Sequence, residues 1–473
     1  MYNIIRYTKK NKEDFRMSDF NFENARQLEG KVPFKFAFPL GLQHVLAMFV
    51  SNLAPILIIG GVALGNHPDT FSSDGLTMMI QAAMFTSAIV TMIQLYPIKI
   101  GSYQIGSGLP IVMGVSFAFV GVGVNAAVEF GMPAVIGAAF IGAFLEVFVG
   151  FTYRYIKRIF TPIVTGTLLI ALGLYLVDVG GNYFVGGFGP LRGTWEAILT
   201  ATITLFVALA FNVYGKGVWK NAAILVGITV GTIFALIIGI TNFDLVSDSS
   251  WVSLWHIVPL KAIDFNFADM FKLGAIVPFL AVYFATTVET IGDTNGVALG
   301  GLGRIATEDE ISGGLLADGF GSMFSTAFNA LPNTSFGQNV GIVTSTKVVN
   351  KSVVFVGVSF LALLSFLPKF AAIFRIIPDA VLGGALITLF AIIIGNGIKM
   401  LAKAGFSDKN MIIISIALGL GLGLGGKTEF IELHDILDIL FGSSVAATAI
   451  FAILASWIIK PDYSEGNWDP DDL

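Results

Sequence analysis

Apolar segments of about 20 residues follow one another along the chain, and this repetition limits the possible folds more than any other feature. A helix needs about 20 mostly apolar residues to cross a membrane. Hydrophobic residues make up 55% of the 473 residues and charged residues only 12%, whereas soluble proteins have about 25% charged residues. The sequence therefore predicts an all-α polytopic membrane protein with 14 transmembrane segments. The predicted segments are 36–64, 76–97, 108–123, 132–153, 158–178, 195–214, 219–241, 273–299, 311–329, 334–346, 352–374, 376–400, 408–426 and 442–459.

The third and tenth segments differ from the others because each follows a stretch that cannot easily continue a helix. These stretches read GSYQIGSGLP and FNALPNTSFG, and both are rich in Gly, Ser, Asn and Pro. Such residues favour turns and extended backbone. We interpret both segments as half-helices, each preceded by a short extended stretch.

The distribution of positive charge predicts the orientation of the chain. Lys and Arg in short loops concentrate on the cytoplasmic side of a membrane. If all 14 segments cross and the N-terminus is inside, the 27 Lys and Arg divide into eight in the N-terminal tail, thirteen in other inside loops and six in outside loops. No signal peptide is recognisable in the first 35 residues. We therefore expect both termini in the cytoplasm and the protein in the plasma membrane of a prokaryotic cell.

Weak internal symmetry accompanies this layout. The pentapeptide GVALG occurs at 61–65 and at 296–300, an offset of 235 residues that is close to half the chain. The two interrupted segments are each third in a set of seven, and two consecutive sets of seven lie in opposite orientations. The sequence thus predicts a 7+7 inverted repeat, with a binding site near the membrane midplane at the interrupted segments.

Three carboxylates lie in apolar segments that contain neither Lys nor Arg. Glu289 and Asp293 are four residues apart in the eighth segment and share one helix face, and Asp318 lies in the ninth. An ionised group inside a bilayer costs roughly 2.5 to 3.5 kcal/mol on insertion scales. The three acids are therefore either protonated or part of a cation or proton pathway. In the alternative, Asp293 and Asp318 only cap or bridge broken helices.

Histidine gives a weaker indication. The pair Gln43 and His44 lies in the first segment, where His44 is either a hydrogen-bonded core residue or a titrating partner of the acids. We assign no chemistry to His67, His256 or His434. The chain has no cysteine and no second histidine at ligand spacing, so we expect neither a metal site nor a cofactor.

Polar groups at the starts of the two half-helices predict a site for a planar ligand. The Gln338 amide has an acceptor and two donors, a pattern that can pair with the edge of a nucleobase. Backbone N–H groups at a helix start can hold a polar or anionic ligand. Ser116 and Phe117 stand at the matching place in the third segment. Phe117 either stacks on an aromatic ligand or packs like most of the 42 phenylalanines.

Four motifs resemble those of one known family. FGQNVGIVTSTK is similar to the signature of the nucleobase-ascorbate transporters, also called nucleobase:cation symporter-2. The Gln–His pair, ETIGD and ADG resemble the first-, eighth- and ninth-helix motifs of that family, in the same order along nearly the whole chain. The signature residues present here are Gln338, Asn339, Gly341, Thr346 and Lys347.

The resemblance implies a core domain that moves against a gate domain, usually in a homodimer. The implied divisions are a cytoplasmic tail at 1–35, core parts at 36–153 and 273–374, gate parts at 154–241 and 375–460, an extracellular loop at 242–272 and a cytoplasmic tail at 461–473.

The resemblance also implies roles for individual residues. Glu289 and Gln338 would hydrogen-bond a base, Phe117 would stack on it, and the backbone near Ser116 and Gly337 would add contacts. The implied polar network that shapes affinity and coupling consists of Gln43, His44, Asp293, Asp318 and Asn339. Thr346 and Lys347 would influence selectivity.

These observations together predict a secondary transporter that imports a purine base with a proton, or less favourably with sodium. Gln–Asn at 338–339 resembles purine carriers of the xanthine or uric acid type, because uracil carriers tend to have Glu first. The ending TSTK at 344–347 differs from the Leu-Thr-Gly or Leu-Thr-Arg of characterised purine carriers, so xanthine, uric acid, other purines and uracil remain open.

Other classes of protein are weighed against this prediction. An anion transporter of the same architecture remains an alternative, although its pocket would be basic or neutral. No enzyme is expected, because no nucleophilic elbow or metal-binding pair occurs. The small net charge of −5 and the lack of a long basic tract argue against a nucleic-acid partner; the expected partners are the bilayer, the substrate and a second copy.

Overall fold

A computed structural model describes residues 24–187, 189–263, 267–425 and 443–468. The predicted N-terminal tail up to residue 23, His434 and the last five residues of the chain lie outside these ranges. The described chain is mostly helical.

Seventeen helices can be numbered in the described residues. They are α1 Phe34–Asn66, α2 Ser73–Leu95, α3 Val120–Phe130, α4 Met132–Ile156, α5 Pro162–Phe184, α6 Trp195–Tyr214, α7 Val218–Asn221, α8 Ala223–Ile237, α9 Asp244–Asp248, α10 Leu273–Val297, α11 Glu308–Ala327, α12 Gly337–Thr346, α13 Lys351–Leu364, α14 Pro368–Arg375, α15 Asp379–Ala404, α16 Asp408–Leu424 and α17 Ser444–Ile459.

Short strands and tight helical turns complete the described architecture. The strands are β1 Ile98–Ile100, β2 Tyr103–Ile105, β3 Met113–Val115 and β4 Asn333–Ser335. Strands β1 and β2 form an exposed antiparallel hairpin, and β3 pairs antiparallel with β4. The 3-10 turns are Asn24–Arg26, Phe117–Phe119, Lys157–Ile159, Trp255–Ile257 and Phe267–Met270, and a π-helical turn spans Ala298–Leu302.

Seven described helices are long and apolar enough to cross a membrane, and the count is eight if α13 and α14 together form one span. Three shorter apolar helices accompany them, at 117–130, 223–237 and 444–459. Length and composition thus define a multi-pass membrane protein. The predicted total of 14 segments includes these shorter elements and remains a prediction.

The expectation of one continuous segment at 352–374 is wrong. Helices α13 and α14 are bent by 87° at a break of a few residues. Leu367 has extended backbone and Pro368 starts α14, because proline disfavours helical backbone in the residue before it and cannot donate a hydrogen bond.

Extended backbone precedes both half-helices: β4 lies within the predicted stretch FNALPNTSFG, whereas β3 lies after GSYQIGSGLP, inside the segment predicted at 108–123. The third segment nevertheless begins later than expected, since helical structure starts at Phe117 rather than at residue 108. The apolar residues in between form β3 and its approach. Hydrophobicity alone could not separate the strand from the helix.

Close helix packing depends on glycine at two crossings. A Cβ on Gly41 of α1 would lie 2.3 Å from the Val353 carbonyl oxygen of α13, and a Cβ on Gly357 would lie 2.4 Å from the Gly41 carbonyl oxygen. Gly166 of α5 and Gly397 of α15 approach each other in the same way. Small residues let membrane helices approach closely enough for dispersion contacts, which drive their association in lipid.

The helices pack in two sets. Helices α1 to α4 contact α10 to α13, while α5, α6 and α8 contact α15 to α17. The two sets meet where α10 contacts α5 and α17 and where α1 contacts α8. A cavity lies between them.

Candidate functional site

Strands β3 and β4 bring two helix starts to one place. Met113 pairs with Ser335, and Val115 pairs with Asn333. The Asn52 side-chain oxygen of α1 accepts hydrogen bonds from the Val115 N–H at 2.7 Å and from the Ser87 hydroxyl at 2.9 Å. These bonds satisfy buried polar groups that would otherwise cost free energy, and they fix where the following helices begin.

A cavity of about 480 Å³ opens in front of the two helix starts. This volume falls within the usual range for small-molecule sites. Five sequence-predicted residues line it: Ser116, Phe117, Glu289, Gly337 and Gln338. Residues far apart in the sequence therefore converge on one surface.

The start of α12 brings the backbone of Gly337 and Gln338 to the cavity, while the Asn339 N–H donates to the Phe336 carbonyl oxygen at 3.0 Å. Phe336 holds its N-cap position, and no side chain caps the helix. The first N–H groups of a helix have no partner within that helix and attract electronegative atoms. At the other helix start, the Ser116 hydroxyl accepts a hydrogen bond from the Ala118 N–H at 3.3 Å, so that end is partly satisfied.

Phe117 is a buried aromatic residue at the boundary between the two helix sets. Its ring lies 5.6 Å from that of Phe390 on α15, at an interplanar angle of 82°. Edge-to-face contacts of this kind stabilise by about 0.5 to 1.5 kcal/mol beyond area burial. Phe117 thus lines the cavity and also joins the two sets.

The three predicted carboxylates occupy different positions. Glu289 is half-buried and lines the cavity. Asp293 lies behind β4 and accepts a hydrogen bond from the Ser335 hydroxyl at 2.7 Å. Asp318 is fully buried and accepts hydrogen bonds from Thr290, from the Gln94 amide at 3.4 Å and from Thr334 at 3.4 Å.

Hydroxyl groups link these acids to the strand beside the cavity. Thr290 contacts Asp318 and lies 3.3 Å from the Ser335 hydroxyl, which in turn donates to Asp293. Through this chain of hydrogen bonds, a change in the protonation of one aspartate can alter the hydrogen bonding of the other. Structural bridging and proton handling are both compatible with the arrangement.

His44 and Asn339 form a second buried pair. The Asn339 amide nitrogen donates to Nδ1 of His44 and to the His44 carbonyl oxygen, both at 3.1 Å. This contact connects α1 with α12 at the residue that follows Gln338. Gln43 is half-buried, and none of Gln43, His44 and Asn339 is among the cavity-lining residues.

The two residues expected to influence selectivity lie at the far end of α12. Thr346 donates to the Ile342 carbonyl oxygen at 2.8 Å, and Lys347 has left-handed backbone with its Nζ 2.5 Å from the Gly300 carbonyl oxygen. Neither is among the cavity-lining residues. Ser345, their neighbour, does line the cavity.

The opposite wall carries polar residues that the motifs do not identify. They are Asn212 of α6, Lys220 and Asn221 of α7, and Asn396 and Lys399 of α15. The two lysines enter the sequence analysis only as charges that set the orientation. Asn396 could have been identified from the sequence, because an amide side chain inside an apolar segment is unusual.

A fourth membrane carboxylate was also missed. Glu146 of α4 is fully buried, and its Oε1 accepts a hydrogen bond from the Thr286 hydroxyl at 3.2 Å. Its signal in the sequence is plain, because it is the one acid in the apolar stretch AFLEVFVG. Within the described ranges, no group of three or more His, Cys, Asp or Glu side chains is arranged to hold a metal ion.

Known structures share this architecture. The transmembrane domain of a cyanobacterial bicarbonate transporter, BicA, superposes with a TM-score of 0.58 at 14% sequence identity, covering 91% of this chain and 100% of that one. At that identity the likeness concerns the fold alone. Apolar helices packed around a cavity define a multi-pass membrane protein that shares the fold of that domain.

The chain belongs to the nucleobase-ascorbate transporter family, because the model Xan_ur_permease, described as Permease family, matches residues 36–430. The xanthine permease XanQ of Escherichia coli is 30% identical, covering 95% of this chain and 97% of its own. The xanthine permease of Bacillus subtilis is 32% identical, covering 80% of this chain and 82% of its own. The uric acid permease PucK of the same species is 32% identical over 80% of this chain and 84% of its own.

Proposed function

We propose that the protein is a secondary active transporter that imports a purine nucleobase, xanthine first and uric acid second, together with a proton. The observation that carries this proposal is the convergence of Glu289, Gln338 and Phe117 on one cavity of about 480 Å³. Uracil and other nucleobases are the next candidates.

The lining groups suit an oxopurine. The Glu289 carboxylate accepts hydrogen bonds from ring N–H groups, while the Gln338 amide both accepts and donates. The free N–H groups at the start of α12 suit a ring carbonyl oxygen or a partial negative charge. Phe117 supplies an aromatic ring for stacking, a contact of about 1 to 3 kcal/mol per base in nucleic-acid complexes. Relatives named as xanthine and uric acid permeases support the same substrate class.

Protons are favoured as the coupling ion because titratable groups surround the substrate position. Asp293 and Asp318 are hydrogen-bonded to the cavity-lining residues Ser335 and Thr334, and His44 is hydrogen-bonded to Asn339, the neighbour of the cavity-lining Gln338. Sodium remains the alternative, since carboxylate oxygens also bind it.

Transport would follow from movement of a core domain (36–153 and 273–374) against a gate domain (154–241 and 375–460). The two packing sets support this division. The full arrangement we propose is 14 segments in a 7+7 inverted repeat, a homodimer, and both termini in the cytoplasm. The cavity wall carries Lys220 and Lys399, and positive residues mark the cytoplasmic side, so this conformation faces inward.

Anion transport is a second candidate function, because Lys220 and Lys399 contribute positive charge to the cavity wall. Such charge would attract chloride, bicarbonate or an ionised purine. The half-buried Glu289 opposes a purely anionic substrate.

Uptake of radiolabelled xanthine tests the proposal. Cells lacking their own purine carriers would express the protein, with excess unlabelled uric acid, hypoxanthine, guanine, uracil or bicarbonate as competitors, with and without a protonophore. We expect saturable uptake that the protonophore collapses. No xanthine uptake by inserted protein would contradict xanthine import, and uptake that bicarbonate alone inhibits would favour anion transport.

The variant Glu289→Gln tests the substrate position. Glutamine keeps the size of the side chain but loses the negative charge and replaces one of the two acceptor oxygens with a donating NH2 group, so we expect at least a hundredfold loss of xanthine uptake at unchanged protein level in the membrane. Glu129→Gln is the matched control, because Glu129 is an exposed acid at the end of α3. Normal uptake by Glu289→Gln would remove Glu289 from the site.

A further inference from the structure

Glu146 is a buried acid whose hydrogen bonding is incomplete. Its side chain is 0% exposed. Oε1 accepts one hydrogen bond, from the Thr286 hydroxyl of α10 at 3.2 Å, while Oε2 has no hydrogen-bond partner among the described residues. An ionised carboxylate with one bare oxygen in an apolar environment is very costly. A protonated carboxyl in the same place has a much smaller free-energy cost.

Among the described residues, no cation faces Glu146 from the elements packed around it. The titratable groups near its carboxyl are Asp318 of α11 and Tyr283 and Glu289 of α10. Asp293 of α10 lies one turn after Glu289 and accepts a hydrogen bond from Ser335, and the exposed Glu129 lies on α3. The other charges lie at helix ends, in the ion pairs Arg154–Asp309, Lys157–Glu308, Lys272–Asp269 and Arg304–Glu310. Glu146 is therefore surrounded by other acids. Like charges repel one another, so these carboxyl groups cannot all be ionised at once.

Close packing keeps water away from this carboxyl. One turn before it, a Cβ on Gly142 would lie 2.6 Å from the Tyr283 ring, and a Cβ on Gly319 of α11 would lie 2.6 Å from Val147. The Tyr283 hydroxyl donates to the Ala139 carbonyl oxygen at 2.7 Å. Helices α10 and α11 thus lie directly against α4 on both sides of Glu146.

One stripe of α10 connects this carboxyl to the cavity. Thr286, which donates to Glu146, lies three residues before Glu289, which lines the cavity. Residues three and four apart share a helix face. A negative charge on either carboxyl therefore disfavours ionisation of the other, because the two groups interact over a short distance with little screening.

We infer that Glu146 is a second proton-binding site of the carrier, which shares one negative charge with Glu289. When Glu289 is ionised and accepts N–H groups of the substrate, Glu146 holds the proton on its carboxyl. When the substrate has left, the O–H bond of Glu146 breaks and the proton passes by way of the Glu289 carboxylate to water in the cavity. A proton from water on the opposite side of the membrane then re-forms the O–H bond and restores the protonated Glu146 of the substrate-free protein. The role in transport rests on the function proposed above.

Two measurements on reconstituted protein test this inference. Proteoliposomes would be assayed for xanthine counterflow, which needs no net proton movement, and for xanthine accumulation driven by an inward proton gradient. For Glu146→Gln we expect counterflow within about twofold of wild type and accumulation lowered at least tenfold. Glu146→Asp, which can still ionise, should recover part of the accumulation, and Glu129→Gln should match wild type.

Accumulation by Glu146→Gln at the wild-type level would overturn the inference. Equal loss of counterflow and accumulation in both Gln and Asp variants would also overturn it, since shape rather than titration would then matter.

Infrared spectroscopy supplies a readout that needs no substrate. Substrate-free purified wild-type protein should show the C=O band of a protonated carboxyl at neutral pH, and Glu146→Gln should lack it. If wild-type protein transports no base, the proposed function fails while this band still decides the protonation of Glu146. An unchanged band in the variant would overturn the inference.

Discussion

At the scale of single residues, the cavity combines groups with different hydrogen-bonding capacities. Glu289 only accepts when ionised, Gln338 accepts and donates, and the uncapped start of α12 only donates. A ligand that satisfies all three must present donors and acceptors along one planar edge. A mismatch leaves a buried group unpaired, which costs about 1 to 3 kcal/mol.

Replacing Gln338 with Glu should weaken purine binding. The change removes the amide donor and adds a second carboxylate to a cavity that already contains Glu289. We expect the concentration of unlabelled xanthine that halves uptake to rise at least tenfold, equivalent to about 1.4 kcal/mol. Ser345→Ala, a neutral change in the same wall, is the control. Unchanged competition by xanthine would place the base elsewhere.

The motifs identified five residues that line one wall of the cavity, and none of the polar residues on the other wall. Ser116, Phe117 and Gln338 stand where glycine and proline interrupt an apolar segment, and that interruption is visible in the sequence. Lys220 and Lys399 reach the cavity from helices separated by 179 positions in the chain, and their meeting depends on tertiary packing. Glu146 could have been found by the rule that identified Glu289.

At the scale of secondary-structure elements, glycine pairs set how closely helices approach. Helix α1 crosses α13 at Gly41 and Gly357, and α5 crosses α15 at Gly166 and Gly397. Each crossing joins helices of one packing set. Close packing within each set is what the proposed movement of a core domain against a gate domain would require.

Gly41→Ala should destabilise the protein, because its Cβ would meet backbone of α13 at 2.3 Å. Overpacking of this kind costs about 1 to 3 kcal/mol. Gly61→Ala in the same helix is a matched control, since no atom lies within 4 Å of its Cβ position. Thermal unfolding in detergent should show a lower midpoint for Gly41→Ala and an equal or higher one for Gly61→Ala. Equal midpoints would mean that the helices separate without cost.

The sequence predicted the ends of a helix correctly where the helix has clear caps. The prediction was wrong where apolar residues continue through a break between helices. Helix α6 begins at Trp195 after the Thr194 cap and ends at Tyr214, as predicted. The break between α13 and α14 was missed, because SFLPKF is apolar enough to continue a segment. The exposed β1–β2 hairpin was missed as well, since IKI and YQI are too short to show alternation.

At the scale of the whole molecule, the segment 251–263 ties several helices together. The Ser253 N–H donates to the Phe366 carbonyl oxygen, and the Leu260 N–H to that of Ala327. His256 within this segment is fully buried, with its ring 5.2 Å from that of Phe366 and its Nε2 3.3 Å from the Ser365 hydroxyl. Burial lowers the pKa of His256 from 6.5 to about 4.

Stability should therefore fall in acid. The unfolded chain binds a proton at this histidine below about pH 6.5, whereas the folded protein binds one only near pH 4. The stabilisation is fully present above the unfolded pKa and is lost as pH falls through this window. We expect the thermal midpoint of wild type to drop more between pH 7 and pH 5 than that of His256→Gln. His67→Gln should behave as wild type, and parallel curves for all three would contradict the assignment.

The class of protein and its family followed from the sequence, whereas the shape of the cavity did not. Apolar length and four motifs are local properties of the chain. The cavity between the two packing sets is a gap between surfaces, and no pattern along the sequence records the distance between them.

The pairing of β3 with β4 has a consequence for biosynthesis. Residues 113–115 leave the ribosome 220 positions before their partners at 333–335, which is roughly 10 to 45 seconds at 5 to 20 residues per second. During that interval the backbone groups of β3 lack their final hydrogen bonds, and unsatisfied groups are costly in lipid. The nascent first half must therefore be sheltered by the insertion machinery or by water, and it becomes a mature membrane domain only when the second half arrives.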